Sequence, residues 1–211
     1  MHIVAGGGQA LLAIAHLLCD PGDNFLFPSP SFPLLLTLAS AENYEPRFYA
    51  VKRELNWEAD ISEMESLIDA RTKFIVINDP CNPLGSCWSN NFKKKILALC
   101  LKHKLPLLAD EIYEGISCDQ TLLNFSQLSP SSDITIFKCS GLTKQYSLPG
   151  WRVGWIIVYG SQERQTAYNH YLRNVLLTLS RTNVVGQRCI GPITNNLRNT
   201  ESLNTKIVLI Q

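Results

Sequence analysis

The stretch Lys73-Phe74-Ile75-Val76-Ile77-Asn78 decides the fold of this chain, because its centre is a continuous apolar run. A strand buried on both faces has this composition, and such strands belong to parallel sheets that are covered by helices. Residues 105–109 form a second run of this kind, and residues 89–103, between the two, have the pattern of a helix. The succession of strand, helix and strand predicts an α/β fold with a largely parallel sheet.

Further strands and helices alternate on either side of this unit. We predict strands at 24–28, 44–49, 134–138 and 153–159, and helices at 9–19, 32–41 and 60–69. From about Ser180 the pattern is lost, and Gly186, Gly191 and Pro192 are expected to interrupt any regular element. The chain therefore divides into a large domain of residues 1–180 and an atypical tail of residues 181–211.

The composition excludes several classes of partner. The chain has 211 residues, of which 45% are hydrophobic and 18% are charged, as in an ordinary soluble globular protein. A net charge of +1 provides no basic patch, so no nucleic-acid partner is expected. No apolar run reaches the length of a membrane span and no leader is recognisable, so we expect no membrane partner and a cytoplasmic location.

The cysteines and histidines predict neither a disulfide framework nor a metal site. The seven cysteines are an odd number and include no CxxC pair, which is typical of reduced thiols in the cytosol. The four histidines show no spacing typical of metal ligands, so we expect no bound metal.

A glycine-rich turn, Gly6-Gly7-Gly8, directly precedes the first predicted helix. Glycines allow several backbone N–H groups to converge, and the N-terminus of a helix adds a partial positive charge. The turn is therefore a candidate anion site, although a purely structural turn is the alternative.

Polar residues follow two of the buried strands, at the edge where ligands bind in parallel sheets. Asn78 ends the first strand, and the loop Asp79-Pro80-Cys81-Asn82-Pro83-Leu84-Gly85 presents the amide of Asn82 between two prolines. Asp110 ends the next strand, where a carboxylate can pair with a protonated pyridine nitrogen. Tyr113 is close enough in sequence to donate a hydrogen bond to the same ring. A rigid turn around Asn82 and a helix cap at Asp110 are the structural alternatives.

A lysine and an arginine complete the set. Lys144 ends the small-residue stretch Ser140-Gly141-Leu142-Thr143-Lys144, and Arg152 follows eight positions later. A lysine amine can hold an aldehyde cofactor as a Schiff base, and a guanidinium can bind the phosphate of that cofactor through two hydrogen bonds. With the glycine turn and Asp110, these residues match the needs of pyridoxal 5′-phosphate.

The residues in this order resemble the class I/II aminotransferases, which are pyridoxal-phosphate enzymes of fold type I. The resemblance is carried by Pro28-Ser29-Pro30-Ser31-Phe32, by the loop 79–85, by Ala109-Asp110-Glu111-Ile112-Tyr113 and by Pro149-Gly150-Trp151-Arg152-Val153-Gly154-Trp155. It runs from about Val4 to about Arg173 and is closest to the tyrosine-aminotransferase branch. It implies the three-layer α/β/α large domain of this fold type, with a mostly parallel sheet.

The resemblance implies a catalytic role for three residues and a ring contact for two more. Lys144 would form the Schiff base and then move the α-proton of the substrate. Asp110 would keep the pyridine nitrogen of the cofactor protonated. Tyr113 and Asn82 would hydrogen-bond the phenolate oxygen of the ring, and Phe32 would stack on its face.

The resemblance assigns the phosphate to the backbone of Gly7 and Gly8, to Arg152 and to a serine hydroxyl. The chain departs from the family at two of these positions. Gly8 replaces a residue that usually offers a hydroxyl group. Gly141 stands three residues before the lysine, where many relatives have serine, and we expect Ser140 to supply that hydroxyl instead.

The implied function is transamination of a tyrosine-like aromatic amino acid with a 2-oxo acid such as 2-oxoglutarate, by a homodimer. Alanine and kynurenine aminotransferases share most of these motifs, so a relative of those types is an open alternative. The family's N-terminal segment and small C-terminal domain are not recognisable. A second alternative is therefore a truncated, catalytically inactive chain that binds the cofactor.

Overall fold

The computed structural model describes residues 1–116, 121–129, 133–179 and 182–197, with backbone alone for 194–197. The strands are β1 His2–Val4, β2 Asn24–Ser29, β3 Glu45–Lys52, β4 Glu58–Ala59, β5 Thr72–Asn78, β6 Leu107–Asp110, β7 Ile136–Gly141 and β8 Gly154–Tyr159. The helices are α1 Gly7–Leu18, α2 Leu34–Glu42, α3 Ile61–Ser66, α4 Asn90–His103, α5 Phe125–Leu128, α6 Leu142–Gln145, α7 Gln162–Thr178 and α8 Val184–Leu197. Two 3₁₀ turns cover Arg53–Leu55 and Pro149–Trp151.

The strands form one sheet in the order β1-β8-β7-β6-β5-β2-β3-β4. The five central strands are parallel, namely β7, β6, β5, β2 and β3. On one side of them β8 and β1 are added in antiparallel pairs, and on the other side β4 is added in an antiparallel pair. The predicted α/β fold with a mostly parallel sheet is therefore confirmed. The register pairs Asn78 with Asp110 and Asp110 with Cys139, so the carboxyl ends of β5, β6 and β7 meet at one edge.

The two faces of the sheet belong to separate cores, as expected for three layers. Along β5, Phe74 and Val76 pack into a core with α1, α2 and α7. Ile75 and Ile77, which alternate with them, pack into a core with α3, α4 and α5. All four side chains are buried. The apolar run of β5 is therefore continuous because helices cover both of its faces.

Side-chain caps set the start of several helices. Asp60 accepts hydrogen bonds from the backbone N–H groups of Ser62 and Glu63 and begins α3, as the sequence predicted. This helix ends at Ser66, three residues before the predicted limit. Ser161 caps α7, a helix that the sequence analysis did not identify.

The expectation that the pattern breaks after residue 180 is wrong for residues 184–197, which form α8. Asn183 accepts a hydrogen bond from the backbone N–H of Gly186 and so caps its first turn. A Cβ atom on Gly186 would lie 2.6 Å from Cγ2 of Val153, so this glycine lets the helix approach the sheet. Pro192 lies inside α8 although it lacks an N–H donor. Residues 198–211 of the predicted tail lie outside the described residues.

Within the described ranges, no helix combines the length and the apolar composition needed to cross a membrane.

Candidate active site

A cavity of about 450 Å³ opens at the sheet edge where β5, β6 and β7 end. Its walls come from the first turns of α1, from the segment before α2, and from the segments that follow β5, β6 and β7. The lining residues are Gly7, Gly8, Leu11, Leu12, Phe32, Leu34, Asn78, Asn82, Asp110, Ile112, Tyr113, Thr143, Lys144 and Arg152. The fold thus brings together every predicted site residue except Ser140.

One end of the cavity is formed by the glycine turn and Arg152. Gly6 caps α1 with a φ of 86°, a conformation that only glycine adopts readily. The Arg152 guanidinium lies against this turn, and its Nη2 donates to the carbonyl oxygen of Ala5 at 3.1 Å. A Cβ atom on Gly6 would lie 2.4 Å from Nη2 of Arg152. A guanidinium and the N-terminus of a helix therefore converge here, as an anion site requires.

Gly154 explains how the turn comes so close to the sheet. It pairs with Val4 at the antiparallel contact between β1 and β8. A Cβ atom on Gly154 would lie 2.6 Å from the carbonyl carbon of Gly6. The motif Pro149–Trp155 therefore contacts the glycine turn twice. Gly154 packs against the backbone of Gly6, and the guanidinium of Arg152 lies against the same turn.

The other end of the cavity is built around the buried carboxyl group of Asp110. Its Oδ1 accepts a hydrogen bond from the backbone N–H of Ile112 at 3.3 Å. Burial raises the pKa of Asp110 to about 7, and the nearby charge of Glu111 acts in the same direction. A cation beside this carboxyl group would offset the cost of ionising it in a buried position, because a nearby positive charge favours the charged form. Asp110 contacts the following turn but caps no helix, since none begins within the described residues 111–116.

Lys144 also lines the cavity and lies in the single turn α6. Its Nζ is 5.4 Å from the centroid of the Tyr113 ring, so the amine faces the ring. The short connection between β7 and α6 fixes this position, because Leu142 is fully buried and its N–H donates to the carbonyl oxygen of Val153 at 3.0 Å.

The Asn82 loop is fixed by hydrogen bonds to the strand ends. The backbone N–H of Asn82 donates to Oδ1 of Asn78 at 2.7 Å, and the N–H of Asp79 donates to the carbonyl oxygen of Asp110 at 3.1 Å. The carboxylate of Asp79 pairs with Lys93 at 2.5 Å, and both side chains are buried. Phe32 also lines the cavity and is 43% exposed.

Ser140 does not reach the cavity. Its side chain is buried within β7, and its hydroxyl has no hydrogen-bond partner among the described residues. Gly141 cannot be replaced by serine in this backbone, since a Cβ atom there would lie 2.7 Å from the carbonyl oxygen of Val153. Thr143, which the sequence analysis overlooked, lines the cavity with a buried hydroxyl that has no partner in the described part of the chain. Its place directly before Lys144 could have identified it.

A family model described as "Aminotransferase class I and II" matches residues 2–200. The chain belongs to the class I and II aminotransferase family. It is 37% identical to a tyrosine aminotransferase of Bos taurus over 193 residues, which cover 91% of this chain and 41% of that protein. It is 34% identical to an alanine aminotransferase of Mycobacterium tuberculosis over 168 residues, covering 80% and 39%. The chain thus spans about two fifths of the length of these relatives.

Solved structures of aminotransferases have the same fold. A tyrosine aminotransferase from Leishmania infantum superposes with a TM-score of 0.82 at 26% identity, over 97% of this chain and 54% of that one. An alanine aminotransferase from Pyrococcus furiosus superposes with a TM-score of 0.79, also at 26% identity, over 86% and 46%. The predicted family and the predicted fold type are therefore confirmed.

Proposed function

We propose that this chain carries the cofactor site of a pyridoxal-phosphate-dependent aminotransferase. The observation that carries the proposal is the meeting of Lys144, Asp110 and Arg152 in one cavity, at the ends of three different segments. An amine, a buried carboxyl and a guanidinium beside a helix N-terminus are the groups that an aldehyde, a pyridine nitrogen and a phosphate require.

Three features support the fit of this cofactor. The carboxyl group of Asp110 is buried with a raised pKa, which a protonated ring nitrogen would reverse. Thr143 lines the cavity, and its hydroxyl is buried without a partner among the described residues, as expected of a group that an oxygen of the cofactor would satisfy. The absence of a side chain at Gly6 leaves room for the guanidinium of Arg152.

Each residue of the site then has a defined role. When bound, pyridoxal 5′-phosphate supplies an aldehyde and an electron-withdrawing ring, on which an amino group is exchanged. Lys144 would hold the aldehyde carbon through its amine. Once the amino group of the substrate has displaced that amine, the amine would move the α-proton of the substrate. Tyr113 and Asn82 would hydrogen-bond the phenolate oxygen on the ring, and Phe32 would cover the ring face. The backbone of Gly7 and Gly8 and the guanidinium of Arg152 would bind the phosphate.

For the substrates, we propose a tyrosine-like aromatic amino acid and a 2-oxo acid such as 2-oxoglutarate, turned over by a homodimer. The names of the relatives support tyrosine, with alanine as the second candidate. The apolar wall formed by Leu12, Phe32 and Leu34 is compatible with either side chain.

A second candidate function is cofactor binding without turnover. Among the described residues that line the cavity, the cations are Lys144 and Arg152, and the proposal assigns both of them to the cofactor. No lining cation is then left for the α-carboxylate of a substrate, which favours this alternative for the chain on its own.

One experiment separates the two candidates. The protein is loaded with pyridoxal 5′-phosphate, tyrosine or alanine is added without a 2-oxo acid, and the cofactor is analysed by chromatography. Conversion to pyridoxamine phosphate supports transamination and identifies the preferred amino acid. Retention of unconverted cofactor supports binding alone. Failure to retain any cofactor contradicts both.

A further inference from the structure

A buried ionic cluster flanks Tyr113, a residue that lines the cavity, and is not explained by cofactor binding. Lys138, on β7, has 6% of its surface exposed. Its Nζ is 3.2 Å from Oε2 of Glu111 and 2.7 Å from Oε2 of Glu114. The two carboxylates stand on either side of Tyr113 in the chain.

The two glutamates also connect the cluster to the start of α5. Oε1 of Glu111 accepts a hydrogen bond from the backbone N–H of Phe125 at 3.0 Å, which is in the first turn of α5. The side-chain amide of Asn124 donates to Oε1 of Glu114. Lys138 therefore binds the centre of a network that joins β7, the Tyr113 turn and α5.

The Tyr113 turn is held against the lysine loop from the other side. The N–H of Glu114 donates to the carbonyl oxygen of Glu111 at 2.9 Å, which closes the turn around Tyr113. Gly115, with a φ of 78°, packs so closely on Gln145 that a Cβ atom would lie 2.8 Å from Nε2. The turn is thus fixed between the ionic cluster and the residue that follows Lys144.

We propose that Lys138 is a positioning residue, whose buried ammonium group holds the Tyr113 turn through Glu111 and Glu114 and so orients Tyr113 towards Lys144. The effect of the turn on cofactor binding rests on the proposed function, whereas the contacts that hold the turn do not depend on it.

The charges of the cluster support this role. Burial opposes the charge of Lys138, but the two carboxylates outweigh it and raise its pKa, so the side chain remains an ammonium. Burial raises the pKa of Glu111, and the charge of Lys138 counteracts that effect. Without Lys138, the two carboxylates would lose the group that joins them to β7, and they would also remain close together as unpaired charges.

The test compares four variants and one control variant with the wild type. Lys138→Met keeps the length of the side chain and removes its charge, and Lys138→Arg keeps the charge. Glu114→Gln is the milder change, because this carboxylate is partly exposed and Glu111 still pairs with Lys138. In Lys138→Met/Glu111→Gln/Glu114→Gln, no unpaired charge is left, and both glutamine carbonyl oxygens can still accept the hydrogen bonds from Phe125 and Asn124. Lys52→Met, which breaks a part-exposed ion pair with Glu63, is the control.

The readouts are amide hydrogen exchange of residues 111–116, the dissociation constant for pyridoxal 5′-phosphate, and the thermal midpoint. In Lys138→Met we expect exchange in this segment to accelerate and cofactor affinity to fall, each by about tenfold or more, with smaller changes in Glu114→Gln. Lys138→Arg should keep most of the slow exchange and most of the cofactor affinity of the wild type. The triple variant should recover the thermal midpoint but neither the exchange nor the affinity, which separates positioning from a general effect on stability.

Wild-type exchange at residues 111–116 in the folded triple variant would overturn the proposal, as would equal effects in the Lys52→Met control. If the wild type binds no cofactor, the proposed function fails, while the exchange data still decide whether Lys138 holds the turn.

Discussion

The two ends of the cavity are built by opposite means. At the end formed by the glycine turn and Arg152, which the proposal assigns to the phosphate and which is therefore named the phosphate end, Gly6 and Gly154 provide close backbone contacts, and the guanidinium of Arg152 is exposed. At the end around Asp110, which the proposal assigns to the cofactor ring and which is named the ring end, Asp110 is a buried carboxyl, and a buried ionic cluster around Lys138 supports the neighbouring turn. The phosphate end therefore depends on the absence of side chains, whereas the ring end depends on the balance of charges. Steric changes should disturb the first, and charge changes should disturb the second.

The largest expected effect comes from neutralising the ring end. Asp110→Asn should weaken pyridoxal 5′-phosphate binding by about 100-fold or more, because a neutral amide loses the charge attraction to a protonated ring nitrogen. The same variant should be more stable than the wild type without cofactor at pH 8. Binding is measured by equilibrium titration of absorbance, and stability is measured by urea unfolding. A variant that lost affinity and stability together would contradict this account of Asp110.

The pH dependence of that stability difference has a definite sign. The pKa of Asp110 is about 7 in the folded chain, above the ordinary value of 3.8, so the unfolded state ionises first. The folded wild type should lose stability relative to Asp110→Asn as the pH rises from about 4 to about 7, by up to about 4 kcal/mol, and the difference should then be constant. Only the difference between the two proteins is informative, because carboxylates such as Glu65 have a lowered pKa and act in the opposite direction.

A steric change should break the phosphate end with a smaller effect. Gly6→Ala should weaken cofactor binding by about 10-fold to 100-fold, since its Cβ atom would displace Arg152. Gly22→Ala is the matched control, because Gly22 has a similar φ of 89° but no atom within 4 Å of the added Cβ. Both variants should lose about 1–3 kcal/mol of stability from backbone strain, and only Gly6→Ala should lose affinity. Equal affinities would show that Arg152 does not depend on this turn.

The smallest expected effect is an increase in phosphate affinity. Gly8→Ser would restore a hydroxyl at the N-terminus of α1, and its Cβ atom would lie 3.1 Å from the mobile end of Leu34. One additional hydrogen bond of about 1 kcal/mol should raise phosphate affinity about fivefold relative to Gly8→Ala, which has the same Cβ atom without the hydroxyl. Titration with pyridoxal 5′-phosphate and with inorganic phosphate checks this value. A serine variant no tighter than the alanine variant would indicate that the hydroxyl does not reach the phosphate.

The sequence was sufficient where one local pattern has one physical cause. The alternating burial of Phe74, Ile75, Val76 and Ile77 into two cores requires a continuous apolar strand, and that run predicted the sheet. The strand ends then placed Asn78 and Asp110 together, because parallel strands end at a common edge.

Local patterns failed where distant contacts decide the outcome. Gly186 was interpreted as a break, although it packs against Val153 inside α8. Ser140 was expected to supply a hydroxyl, although the strand turns its side chain into the interior and Thr143 lines the cavity instead. Lys138 has two carboxylate partners, Glu111 and Glu114, that are more than twenty residues away in the chain, so no local pattern identifies the cluster. These contacts exist only in the folded chain.

The central claim is that Lys144 is the residue that holds the cofactor, and borohydride reduction tests it most directly. The wild type, Lys144→Ala and the surface control Lys95→Ala are each incubated with pyridoxal 5′-phosphate, reduced, digested and analysed by peptide mass spectrometry. The account predicts one dominant covalent adduct on Lys144 in the wild type and in Lys95→Ala, and its loss in Lys144→Ala. Label spread over surface lysines, or an adduct that persists on the same loop in Lys144→Ala, would contradict it.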